Sequence, residues 1–225
     1  LPIPEEPNLS GSHAVRYGDL RSFYDPNGSL TPYLPERWLS VSAHNDPEFE
    51  TFTYGDNCEA NPRASSLRRV RPMDYLVFIA SLCVWEDGKT SHRHGFYLVG
   101  FLEVEEVLAN VLSQPERELM RQYGNNAHIL RGATDARLWD GFWVFQGSLK
   151  SQRFNRAVPV TREVTERLFT SADGSPWKWG DKRSEMQTIG SYTRTCRCVL
   201  DPVLIGHDQR IRWLWDWVDR QQDAS

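Results

Sequence analysis

The chain has few cysteines, no long hydrophobic run and no excess of positive charge. Its four cysteines are scattered over 225 residues, unlike the dense cysteines of small secreted domains, and we therefore expect a reduced, cytoplasmic protein. No apolar stretch approaches the roughly 20 residues that a spanning helix needs, and the first residues lack a signal-peptide pattern. We expect no membrane partner. The net charge of −4 argues against non-specific coating of duplex DNA.

Several common catalytic motifs are also missing from the sequence. There is no phosphate-binding P-loop, no G-x-G-x-x-G, no G-x-S-x-G, no H-E-x-x-H and no zinc-deaminase signature. Only Cys196 and Cys198 lie close together, and a single C-x-C is poor zinc spacing. Most nucleotide-driven and hydrolytic enzyme classes are therefore unsupported.

The hydrophobic pattern predicts one α+β domain over residues 1–225. Residues 1–35 are rich in proline, glycine, asparagine and aspartate and are predicted to be loop. Residues 36–200 would form the core, beginning with a short helix after Pro35. An amphipathic helix is predicted over 207–222.

Two apolar runs rich in β-formers predict the centre of a sheet. Tyr75–Ala80 reads as a buried strand, and "GFYLVGFLEVEEVL" reads as its neighbour, with "EDGKTSHRHG" as the hairpin loop between them. Gly100 lies in the middle of the second run, which favours a bulge. We therefore expect a curved or barrel-like mixed sheet with flanking helices. "HILRG" and "GFWVFQGS" are predicted as further strands.

Three helices are predicted from their end signals. Ser113 with Glu116 three residues later is typical of a capping box, for a helix that ends at Gly124. A short helix should begin near Thr161. In the last helix Asp208 is the predicted N-cap, and the buried stripe consists of Ile211, Leu214, Trp215 and Val218. Trp213 and Trp217 form a second edge of that helix, a candidate contact for a protein partner.

The segment "HNDPEFETFTYGDN", residues 44–57, concentrates site-forming side chains. In its H-x-D, His44 and Asp46 would lie on one face of a strand and could ligate one divalent metal. A two-histidine, one-carboxylate site then needs a distal histidine, either His128 or His207. The alternative is a polar loop that hydrogen-bonds its own backbone.

The carboxylates of the same segment allow a second interpretation. Glu48, Glu50 and Asp56 beside Tyr54 could form an acid–base or ribose-binding cluster. The alternation of "ETFTYGD" would place Thr51, Thr53 and Gly55 on one side and Phe52, Tyr54 and Asp56 on the other. Aromatic rings beside a carboxylate suit the binding of a planar base.

Three segments together resemble the third nucleotide-modification-associated domain family: "HNDPEFETFTYGDN", "LRRVRPMDYLVFIASL" with "FYLVGFLEVEEV", and "VFQGSLKSQRFNRAVPVT". The resemblance covers roughly residues 1–200 and implies a role near modified nucleotides in DNA. The site candidates carried over from the family's motif are His44, Asp46, Glu48, Glu50, Thr53, Tyr54, Gly55 and Asp56.

The central strands are also similar to the modified-base readers of the PUA-like superfamily. That likeness would place Ser81, Trp85 and the turn containing Ser148 near a base-sized pocket. Arg153 follows this turn and is a candidate phosphate ligand.

Three functions follow as hypotheses. The first is a nucleotide or modified-base binding domain, in which Tyr54 and Trp85 stack on the base, Asp46 or Asp56 reads its edge and Arg153 holds a phosphate. The second is an enzyme acting on a nucleobase or nucleotide. Its site would be a metal held by His44 and Asp46, or an acid–base pair of His44 and Glu48. The third is a protein-interaction subunit of a modification complex, with Trp213 and Trp217 as the contact.

Overall fold

The long central strands contain the apolar runs of the sequence that are rich in β-formers. The computed structural model describes residues 3–4, 15–22, 27–62, 64–86, 89–168, 194–198 and 206–223. Its strands are β1 (Ile3–Pro4), β2 (Ala43–His44), β3 (Thr53–Asp56), β4 (Tyr75–Glu86), β5 (Lys89–Val111), β6 (Phe142–Gly147), β7 (Gln152–Pro159) and β8 (Arg194–Cys198). The loop character predicted for residues 1–35 agrees with the short 3-10 turns Tyr17–Asp19 and Thr31–Tyr33 in the described residues 15–22 and 27–35.

A curled antiparallel sheet joins six of the strands in the order β3-β6-β5-β4-β8, with β7 also paired to β5. The other two strands, β1 and β2, form a small antiparallel pair. The register between β5 and β7 shifts between Leu98 and Gly100, so the bulge predicted from Gly100 is confirmed. The predicted α+β class with a curved sheet is confirmed as well.

Four α-helices accompany the sheet in the described part of the chain. They are α1 (Arg117–Tyr123), α2 (Ala127–Thr134), α3 (Arg162–Leu168) and α4 (His207–Asp223). Thr161 precedes α3 and its hydroxyl oxygen accepts a hydrogen bond from the Val164 amide at 3.2 Å, so the predicted start of this helix is confirmed. In α4, Leu214 and Val218 are buried, as the predicted stripe requires.

Several predicted element bounds are wrong. "HILRG" is not a strand but part of α2, because a five-residue segment with two adjacent apolar residues does not distinguish the two structures. The capping box at Ser113 does not form, since α1 begins only at Arg117; the helix does end before Gly124. The segment after Pro35 is a single 3-10 turn, Glu36–Trp38. Asp208 lies inside the first turn of α4, where a carboxylate complements the helix dipole.

The predicted hairpin loop is also wrong in its length. β5 already begins at Lys89, so most of "EDGKTSHRHG" belongs to a strand. The side chains of His92, Arg93 and His94 lie outside the described residues, as does the whole of the "WKW" segment at 177–179.

The chain divides into two compact units. The first unit comprises Leu1–Ser65, Trp85–Thr90 and Leu108–Phe145, and the second comprises Ser66–Val84, Ser91–Val107 and Gln146–Ser225. The expectation of one domain stays a prediction. Among the described residues no helix has the length and apolar character to cross a bilayer.

Each unit has its own hydrophobic core. In the first unit, helices α1 and α2 pack on β6 through Val111, Tyr123, Ile129, Trp139, Phe142 and Val144. In the second unit, α3 and α4 cover strands β4, β5 and β7, and Phe101 contacts Trp215 edge to face with ring centroids 4.9 Å apart.

Candidate metal centre

The first two candidate ligands lie at the end of β2. His44 pairs with Ile3 of β1, and its carbonyl oxygen accepts a hydrogen bond from the Asp46 amide at 3.1 Å. The Asp46 side chain reaches β3, where the Gly55 amide donates to its Oδ1 at 3.0 Å and to its Oδ2 at 3.3 Å. The H-x-D segment is therefore held against β3 through the carboxylate itself.

The third candidate ligand is His128, in the first turn of α2. Its Nε2 lies 3.6 Å from Asp46 Oδ2, and the Nε2 of His44 lies 3.7 Å from the same oxygen. One donor atom from each of the three residues lies within 4.8 Å of the other two. Of the two distal histidines offered by the sequence, the structure brings His128 to the H-x-D; the side chain of His207 is outside the described residues.

The spacing of these donor atoms suits a shared metal ion. A charge-assisted hydrogen bond between imidazole and carboxylate is about 2.7–2.9 Å long, well short of the observed separations. Ligands that bind one metal at about 2.1 Å are instead separated by roughly 3.0 Å in octahedral and 3.4 Å in tetrahedral geometry. The separations of 3.6 and 3.7 Å are thus closer to those of a ligand set than to those of a hydrogen-bonded pair.

Burial and charge point in the same direction. The side chains of Asp46, His44 and His128 are 3%, 7% and 14% exposed. Burial opposes ionisation of the Asp46 carboxyl, but its polar interactions with His128 and then His44 outweigh burial and lower its pKa to about 2. Asp46 is therefore a carboxylate at neutral pH, and with two imidazoles it offers one negative charge to a divalent cation.

Gly55 makes room for the third ligand. A Cβ atom at this position would lie 2.5 Å from His128 Cδ2 and 3.0 Å from Asn126 Oδ1. Its missing side chain lets the imidazole lie directly on β3, while its amide holds Asp46. The family motif suggested Gly55 as a nucleotide contact, and the structure gives it these two local roles.

Asn126 is a site residue that the sequence reasoning missed. It is fully buried and is the N-cap of α2, accepting a hydrogen bond from the His128 amide at 3.0 Å. Its Nδ2 donates to Thr53 Oγ1 at 3.3 Å. An asparagine before an apolar run that begins "AHIL" is a recognisable helix start, and reading it so would have placed His128 in a first turn.

Tyr54 and Asp56 lie on the opposite face of β3. The Tyr54 ring is stacked on Phe145, with centroids 6.2 Å apart, and its hydroxyl donates to Asp56 Oδ2 at 2.8 Å. Asp56 Oδ1 also accepts from Asn61 Nδ2 at 3.2 Å. The alternation predicted for residues 53–56 is therefore present, and it separates the Tyr54–Asp56 pair from the histidines.

Glu48 and Glu50 belong to the turn that leads into β3. The buried Glu48 carboxylate accepts hydrogen bonds from the amides of Glu50 and Thr51 and from the Thr51 hydroxyl. The amide of Glu48 also donates to the Thr53 carbonyl oxygen, and the Glu48 carbonyl oxygen accepts from the Thr53 amide. Glu48 thus closes its own turn and is not among the three clustered donors, while Glu50 is exposed.

Comparison with known proteins identifies the family. A family described as nucleotide modification associated domain 3 matches residues 1–191. The chain belongs to this family. No curated protein and no solved structure matches it. The three clustered residues of this nucleotide modification associated domain 3 protein all lie inside the matched range, whereas α4 lies beyond it.

The remaining candidates of this family member lie elsewhere in the fold. Ser81 is half-buried in β4, and the side chain of Trp85 is outside the described residues. Arg153 lies in β7, opposite Gly100 of β5. A role of these residues in nucleotide binding, and the likeness to PUA-like readers, stay predictions.

Ser148 takes part in a polar network in the second unit. Its hydroxyl donates to Glu103 Oε2 at 2.6 Å, and Tyr75 and Lys150 each donate to Oε1 at 3.1 Å. Burial opposes ionisation of Glu103, but these three donors outweigh it and lower the pKa of this carboxyl. The Ser148 hydroxyl therefore donates its hydrogen to the ionised Glu103 carboxylate.

The two tryptophans proposed as a protein contact stack on each other. Trp213 and Trp217 are nearly parallel with centroids 5.8 Å apart, and the Arg167 guanidinium lies 5.3 Å from the Trp213 ring centroid. Both are partly buried against the core of the second unit. Their use by a protein partner stays a prediction.

Proposed function

We propose that this protein is a metal-dependent enzyme that acts on a nucleobase or nucleotide, with His44, Asp46 and His128 as the metal ligands. The single observation that carries the proposal is the buried convergence of two imidazoles on one ionised carboxylate. The membership of the chain in the nucleotide modification associated domain 3 family supplies the substrate class.

The ligand set indicates catalysis more than structure. Structural zinc sites have four protein ligands, usually with cysteine, whereas catalytic sites keep a coordination position open. Two histidines and one carboxylate are typical of mononuclear non-haem iron oxygenases and also of zinc hydrolases. A metal held by His44, Asp46 and His128 would supply the activation of oxygen or of water. The protein's own contribution is to hold three ligands in a nearly dry place, with Asp46 ionised.

The metal interpretation also accounts for the burial of Asp46. A carboxylate removed from water requires compensation by charge or by several donors. The Asp46 carboxylate accepts from the Gly55 amide through both of its oxygens, and the two imidazoles lie 3.6 and 3.7 Å from Oδ2. A divalent cation between the three groups would add its positive charge to this compensation.

The first test is metal binding by the purified protein. The apo protein is titrated anaerobically with Fe(II), and separately with Zn(II), and metal content is read by native mass spectrometry. One ion per chain is expected, and it should be lost in His44→Ala, Asp46→Asn and His128→Ala. Asp135→Asn is the matched control, because Asp135 caps a separate 3-10 turn and pairs with Arg137, and asparagine is an equally good N-cap.

The second test is turnover. The metal-loaded protein is incubated with single-stranded DNA, duplex DNA and free nucleotides, and the products are analysed by mass for any change in the base. A product that disappears with His128→Ala supports the proposal. Failure of the wild-type chain to bind any metal would refute it, and a metal-free protein that retains a nucleotide would favour the base-binding hypothesis instead.

A further inference from the structure

One strand positions two of the three proposed ligands. Thr53 and Gly55 are two residues apart in β3 and therefore lie on the same face. The Gly55 amide donates a hydrogen bond to the Asp46 carboxylate, and the Thr53 hydroxyl oxygen accepts one from the Asn126 side-chain amide. Asn126 in turn accepts from the amide of His128.

The amide group of Asn126 connects the strand to the helix that carries His128. Its Oδ1 caps the first turn of α2 and its Nδ2 reaches β3, so each half of the amide is used. The residue is 0% exposed. An N-cap needs only the acceptor, and serine or aspartate would provide it equally well. The second contact, to Thr53, is therefore not required for capping the helix.

We propose that Asn126 is a positioning residue of the metal centre, which holds the His128 imidazole at the face of β3 through its hydrogen bond to Thr53. This inference rests on the proposed function. Asn126 itself would not contact the metal. Its effect passes through the start of α2, because His128 lies two residues after the N-cap and its ring orientation follows the first helical turn.

The imidazole has little freedom to adapt if the helix start moves. On one side it meets Gly55, where there is no room for a single additional carbon atom. On the others it contacts the rings of His44 at 5.1 Å and Phe142 at 5.3 Å between centroids. A small rotation of α2 would therefore move Nε2 away from the other two donors. Outer contacts that orient metal ligands typically change metal affinity by about 10–100-fold.

Two variants break the contact from opposite sides and leave the N-cap in place. Asn126→Ser retains a good capping oxygen but is too short to reach β3. Thr53→Val keeps the shape of the threonine and removes its oxygen, while Asn126 still caps α2. Thr134→Val is the matched control. It is the same substitution on the other end of α2, where the hydroxyl donates to the Leu130 carbonyl at 2.9 Å and is exposed.

The probe is Co(II), whose visible spectrum reports the number and arrangement of its ligands. Wild type and the three variants are titrated with Co(II), and the dissociation constant, the spectrum and the melting temperature of the apo protein are measured. Asn126→Ser and Thr53→Val should weaken Co(II) binding by about 10–100-fold and alter the spectrum. Thr134→Val should change neither.

The outcomes separate the two proposals. If the wild type binds no Co(II), Fe(II) or Zn(II), the proposed function fails and this inference fails with it. If the wild type binds and both variants bind with the same affinity and spectrum, Asn126 does not position the ligand, and only this inference is overturned. A lowered melting temperature with an unchanged Co(II) spectrum would likewise make Asn126 a helix cap alone.

Discussion

The sharpest prediction concerns Gly55, because a single methyl group there collides with a proposed ligand. In Gly55→Ala the new Cβ would lie 2.5 Å from His128 Cδ2. Carbon atoms in ordinary contact are about 3.5–4.0 Å apart, so the imidazole must retreat by about 1 Å. Metal–ligand distances tolerate only about 0.2 Å. The methyl group therefore removes His128 from the ligand set.

The expected magnitude follows from that displacement. Loss of a direct ligand should cost more than the loss of an outer contact, so metal affinity should fall by more than about 100-fold. Stability should change far less. Overpacking in a core costs about 1–3 kcal/mol, and replacing glycine with alanine in a strand recovers about 0.4–1 kcal/mol by restricting the unfolded chain. A net loss of about 1–2 kcal/mol leaves the protein folded.

The assay combines anaerobic Co(II) titration with urea unfolding of the apo protein. Gly95→Ala in β5 is the control, since the nearest atom to its Cβ would belong to the Tyr97 ring, at 3.0 Å. We expect Gly95→Ala to bind Co(II) as the wild type does. A folded Gly55→Ala protein with unchanged Co(II) affinity and spectrum would refute the reasoning, because His128 would then not lie against β3.

Three further predictions use other residues of the same segment. The Asp46 pKa is lowered from 3.8 to about 2, so the stability it contributes is present above pH 4 and is lost as the pH falls towards 2. Acid unfolding of the apo protein should show a loss of about 2 kcal/mol over this window, and Asp46→Asn should remove it. Tyr54→Phe removes the hydrogen bond to Asp56 and should cost about 0.5–1.5 kcal/mol in urea unfolding with Co(II) binding intact; weakened Co(II) binding would contradict the separation of the two faces. Glu48→Gln leaves one acceptor for the amides of its turn and should cost about 1–3 kcal/mol, and loss of product formation at full stability would instead restore Glu48 as an acid–base group.

Several parts of the fold were predictable because their signals are local. The strand at Tyr75, the bulge at Gly100 and the apolar stripe of α4 each follow from side-chain period or from one glycine. The helix that contains His128 was not predicted, although Asn126 marks its start. "HILRG" is too short for its hydrophobic period to distinguish a helix from a strand. Its helical structure is stabilised by tertiary packing on Phe142 and Trp139.

The side chains of the candidate site were predictable from the sequence, but the way in which they come together was not. The H-x-D pattern indicates two ligands of one metal, and the need for a third ligand points to a distant histidine. No pattern in the sequence chooses between His128 and His207, because that choice depends on how α2 packs on β3. The role of Gly55 was likewise not predictable from the sequence, since this role is to leave space for the His128 imidazole.

The pleat of β3 decides which of the two groups of side chains in segment 44–57 could contact a substrate at the proposed metal centre. Tyr54 and Asp56 point to one face, where Phe145 already covers the tyrosine ring, and the ligands gather at the other. A base stacked on Tyr54 would therefore lie across the strand from the metal. Of the three proposed ligands His128 has the most exposed side chain, at 14% against 7% and 3%. Substrate should thus approach from the His128 side, so the residues that recognise the base belong on the α2 face of β3 rather than beside Tyr54.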